Sequence, residues 1–116
     1  MVEKHIYDLL PATLPKVIGD LPATASDAVA IMLFNGVENL EYFQCDTVYK
    51  PVVKIVVRNK SYDAAQQQIL DIRNTLHKHT DEHFMSIFMQ GYPVYLGRDP
   101  QKLHEFQVVF NIQVKE

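Results

Sequence analysis

Residues His104 to Lys115 alternate apolar and polar almost without a break: Phe106, Val108, Phe110, Ile112 and Val114 stand against Glu105, Gln107, Asn111 and Gln113. A backbone with a side-chain period of two gathers all of those apolar groups on one side, so the segment reads as a strand half buried and half wet. Such a strand needs neighbours and a layer over its apolar face. The clearest neighbour is Val52-Val-Lys-Ile-Val-Val-Arg58, a β-branched run with Val53, Ile55 and Val57 on one face and Lys54 and Arg58 on the other. Pro51 fits only at its start, where no ladder donor is required.

Directly after that run the period changes. Ser61 is placed as an N-cap, Asp63 lies in the positive first turn, and Tyr62, Ala65, Ile69, Ile72 and Leu76 step by three and four. The spacing predicts an amphipathic helix over Tyr62 to His79. A shorter one is predicted from Val2, Ile6, Leu9 and Leu10, stopped by Pro11, and Leu14 to Ile18 reads as a further helical turn before Gly19. Ala28 to Phe34 reads as a buried strand entering an Asn35-Gly36 turn, and Val37 to Tyr49 as a loop or extended arm. In Phe84 to Gln90, Met85, Ile87 and Met89 alternate with Phe84, Ser86 and Phe88, which predicts a strand covered on both faces. Gly91-Tyr92-Pro93 is expected to turn the chain before a short strand, Val94 to Leu96, and a polar turn, Gly97 to Lys102.

This order predicts an α+β fold: a mostly antiparallel sheet, with the long amphipathic helix and the shorter N-terminal helix packed on one face. At 116 residues the expectation is a single domain, with an N-terminal helix and connector over 1–27 and a sheet-helix core over 28–116. A net charge of −3 and the lack of any Lys/Arg run argue against a domain that grips nucleic-acid phosphates. Cys45 is the sole cysteine, which leaves these residues without an intrachain disulfide or a four-thiolate zinc site. No apolar run approaches a membrane span, and Glu3, Lys4 and His5 do not make a signal segment, so a soluble, untargeted protein is expected.

Chemistry-bearing residues are sparse. His77, His79 and His83 with Asp81 form the one cluster with metal-ligand character, and a small metal-dependent enzyme built on them is the reading from a different functional class. Against it, Thr80-Asp-Glu breaks the helical pattern where the pairing needs it, and histidines at a helix C-terminus complement the dipole. There is no Gly-x-Ser-x-Gly elbow or phosphate-cradling glycine loop, and Cys45 reads as a small packed hydrophobe. The expectation is therefore no catalytic residue, no cofactor and no metal. Gly97-Arg98-Asp99-Pro100 reads as a turn, with Arg98 and Asp99 as the alternative partners of a neighbouring subunit. Met85 and Phe88 are further interface candidates, because a strand apolar on both sides has to be covered twice.

Taken together, Pro51-Val-Val-Lys-Ile-Val-Val-Arg58, the helix from Tyr62 to Leu76, Gln90-Gly-Tyr-Pro-Val-Tyr-Leu-Gly-Arg-Asp99 and Glu105-Phe-Gln-Val-Val-Phe-Asn-Ile-Gln-Val114 resemble the minor capsid proteins of long-tailed bacteriophages. Within that group the likeness is to the tail terminators, and the Leu96-Gly-Arg-Asp99 step is its most specific part. The resemblance implies a ring-forming structural protein, a hexamer, that caps the tail tube, stops its growth and offers a surface to the head. Its implied partners are further copies of itself, the tail tube protein and head-tail connector proteins, with neither a membrane nor a specific nucleic acid among them. Its implied place is the head-tail junction of the virion, after assembly in the host cytoplasm. A head-completion or neck adaptor is the alternative within the same particle, and a peptide-binding module that accepts a strand at its sheet edge is a third.

Overall fold

The computed structural model describes residues 2–21, 26–34, 51–98, 100 and 102–114. The described chain runs α1 (Val2–Leu9), β1 (Lys16–Ile18), β2 (Ala28–Phe34), β3 (Val52–Asn59), α2 (Tyr62–Leu76), β4 (Phe84–Met89), β5 (Val94–Arg98) and β6 (His104–Val114). The strands form one sheet in the order β1-β2-β3-β6-β4, with β5 also paired to β6. Among the described strands only β1 and β2 pair in parallel, and the fold is α+β on a mostly antiparallel sheet.

β3 lies in the middle because its residues tolerate burial on both sides. Val53, Ile55 and Val57 face the helices, and Val52 and Val56 on the other face are also buried. The register carries this row outward: Val29, Val57 and Phe106 lie abreast, as do Ile31, Ile55 and Val108. Ala65, Ile69, Ile72 and Leu76 of α2 and Val2 and Ile6 of α1 close over the same face, in one core with those strands.

Each helix is tied down at its ends. Ser61 Oγ accepts the Ala64 N–H at 3.2 Å, and the buried Asn59 accepts the Ser61 N–H at 2.9 Å and donates to Gln68, joining the end of β3 to the first turns of α2. At the other end α2 stops at Leu76, short of the expected His79. His77 turns extended and Lys78 takes φ +67, which a helix cannot continue through. The C-terminal carbonyls of α1 are met by Lys16, whose Nζ donates to the Tyr7 and Leu10 oxygens at 2.9 and 3.0 Å.

Four local expectations are corrected. Leu14 to Ile18 supplies a strand, β1, in place of a helical turn: Pro15 disfavours helical geometry at Leu14, its carbonyl accepts the Val29 N–H, and Gly19 donates to Ile31. Gly91-Tyr92-Pro93 bends the chain without reversing it, because β4 and β5 both run antiparallel to β6. Gln90 still donates to Val109, and Val94 pairs with Gln107, so the kink stands opposite Val108 alone. Gly97 and Arg98 end β5 and are not part of the turn, with Gly97 at φ +99 where the pairing slips by a residue. Finally, the strict alternation expected of β4 is broken. A register shift between Phe84 and Ser86 brings Phe84, Ile87 and Met89 together onto the core face, and among the described side chains of β4 Phe88 is the large apolar one that stays exposed.

Candidate functional site

The histidine cluster does not assemble. His77 Nδ1 accepts the Met89 N–H at 3.0 Å, which uses the lone pair a metal would need and pins the end of α2 to β4. His79 Nε2 lies 2.8 Å from Asp81 Oδ2, and the His83 ring stacks on His5 at 3.9 Å between centroids. Asp81 also accepts the His83 and Phe84 N–H groups at 2.8 and 2.9 Å, so its carboxylate organises the turn into β4. Burial by itself would raise this carboxyl, but the His79 hydrogen bond and the Phe84 and His83 amides outweigh it and hold the pKa at about 2. Among the described residues no group of His, Cys, Asp and Glu is arranged to hold a metal ion. Cys45 and Asp99 lie outside the described residues, as does the side chain of Met85.

Most of the large apolar side chains left exposed among the described residues lie along the two outer edges of the sheet. Along the β4–β5 edge, Phe88, Tyr92, Val94 and Leu96 all present large apolar groups, and Tyr92 is 79% exposed. On the helix side of β5, Tyr95, Tyr62, His104 and Phe106 form an aromatic cluster, with Tyr95 Oη 2.8 Å from His104 Nδ1. Arg98 stands exposed at the end of β5. Phe88 is half exposed, with its ring against His77.

The opposite edge carries a shallow depression floored by Ile18, Ile31 and Leu33 and rimmed by Glu3 and Asp20. Ile18 and Leu33 are themselves exposed there. Sequence reasoning named Arg98 and Phe88 but missed Tyr92, Ile18 and Leu33. The signal for Tyr92 was available: a large aromatic between a glycine and a proline, where the backbone leaves the ladder, has little to pack against.

An open sheet with large exposed apolar side chains at both edges and, among the described residues, no metal-holding cluster presents the class of surface through which proteins contact one another. Comparison with known proteins narrows that class. A family profile described as bacteriophage tail terminator protein matches residues 5–116, and the chain belongs to that family. Among solved structures, the chain is similar to one titled "Virion of native gene transfer agent (GTA) particle", with a TM-score of 0.70 at 11% identity over 96% of this chain and 92% of that one. At that identity the likeness is one of fold. No curated protein matches.

Proposed function

We propose that this chain is a structural protein of a phage virion that closes into a ring, a hexamer, caps the end of the tail tube and joins it to the head. Membership of the tail terminator family supports the virion role. The observation that carries the ring is the pair of unlike sheet edges that the described residues leave without a further strand, since unlike surfaces on opposite sides produce head-to-tail contacts that close when the rotation allows. That α1, the sheet and α2 share one core among the described residues supports reading the chain as a single domain. Its partners are further copies of itself, the tail tube protein and head-tail connector proteins, and it works at the head-tail junction after assembly in the host cytoplasm. The role is structural, not catalytic.

Light scattering of the pure protein, together with tube-length measurement when it is added to polymerising tail tube protein, tests this reading. Oligomers of one defined mass and tubes that stop lengthening are expected. A monomer at every concentration that never halts tube growth contradicts it.

A further inference from the structure

The two edges at which the sheet ends among the described residues are matched to each other. β1 runs with β2 and β6, whereas β5 runs against β6, so identical copies set side by side in one orientation bring β5 and β1 together antiparallel and continue the ladder. Shape agrees with direction. Ile18 lies abreast of Ile31, Ile55 and Val108, and Val108 is the residue opposite which the Gly91-Tyr92-Pro93 kink stands. The most exposed aromatic on one edge thus projects at the same height along the strands at which the apolar depression opens on the other.

Charge agrees as well. Glu3 and Asp20 rim the depression, and Asp27, also exposed, stands one step before Ala28 on β2. Of the cations on α1 and β1, Lys16 is turned to the carbonyls of Tyr7 and Leu10, and Lys4 is paired with Asp8. The β5 edge instead carries Arg98 and Lys102, both exposed. Arg98 pairs with His104 and so lies abreast of Asn59, the height that Asp27 occupies at the far side of the sheet. Opposite charges at one height fix register between copies and disfavour a slipped or edge-to-same-edge contact.

From these coincidences we infer that the occupant of the acidic β1 depression is Tyr92 of a second copy, with its ring on Ile18 and Leu33, its hydroxyl toward Glu3 or Asp20, and Arg98 set against Asp27. A tyrosine suits such a place, having an apolar body and a polar tip. Because both surfaces sit at one height, successive copies are related by a rotation about an axis along the strands with no rise, and the array closes where an offset array would climb as a filament. This contact rests on the ring reading above and names its joint.

The test uses the full chain carrying Tyr92→Glu, which blocks the projecting edge, or Ile18→Lys, which blocks the receiving edge. Asp20→Lys serves as a second receiving-edge variant whose exposed side chain leaves folding untouched. Mass is read by sedimentation across concentration. Each variant alone is expected to be monomeric where the wild type is assembled, with self-association weakened at least tenfold. A one-to-one mixture of a projecting-edge and a receiving-edge variant is expected to stop at the dimer, because each contributes one intact edge. A wild type that assembles while either blocked variant assembles equally well overturns this joint and leaves the ring standing. A wild type that stays monomeric overturns both.

Discussion

β3 and the β4–β5 edge lie in the same sheet and follow opposite rules. β3 pairs with β2 and with β6 without a slip, and most of its side chains are buried on both faces. The edge is broken at Met85, at Gly91-Tyr92-Pro93 and again near Leu96. Each break interrupts the outer row of main-chain groups, which restricts pairing at this edge to a strand that fits the breaks. Such breaks also leave discrete side chains standing clear. The centre is built for stability, and the proposed contact falls on the edge.

This contrast is open to direct attack, beginning where the effect is largest. Ile55→Ala removes a fully buried side chain from β3 and is expected to cost about 2–5 kcal/mol, read as a lowered urea midpoint at unchanged slope. A loss near zero would mean that the centre is not the core.

Asp81→Asn at the entry to β4 is expected to cost about 1–2 kcal/mol, because a charged acceptor of amide and imidazole bonds is replaced by a weaker one. Its pH dependence has a fixed sign. The folded-state pKa is depressed from 3.8 to about 2, so the contribution is complete above the unfolded value and disappears as pH falls between the two. Acid titration of stability should therefore be shallower in the asparagine variant over that window.

Ser61→Ala removes the N-cap of α2 and is expected to cost about 1 kcal/mol in thermal or urea unfolding. Tyr92→Ala is the smallest in stability, within about 0.5 kcal/mol because the side chain is largely in solvent, yet it should weaken self-association. A variant that loses stability and association together would erase the distinction between centre and edge.

The centre was legible from sequence and the edge was not, for a physical reason. Period-two and period-3.6 patterns record which side chains are buried, and β3, α2 and β6 carry them plainly in Val53 to Val57, Ala65 to Leu76 and Phe106 to Val114. A bulge breaks that record. One slipped residue in β4 moved Phe84 onto the same face as Ile87, which a strict period of two assigns to opposite faces. The kink at Gly91 and Pro93 carried turn residues, yet the partner strand kept the chain running the same way. β1 was missed because a strand this short has too few residues to show a period, and Pro15 with its parallel partner decides it. Arg98 and Phe88 were readable as candidates from chemistry alone, whereas Ile18 and Leu33 became candidates only once the sheet order placed them at the far edge.

Hydrogen exchange followed by mass spectrometry, at protein concentrations below and above self-association, tests the central claim most directly. Amides of β1 and of residues 91–98 should exchange more slowly in the assembled sample, while those of β3, already buried, should not change. Assembly that leaves both edges exchanging as fast as in the monomer would contradict the account.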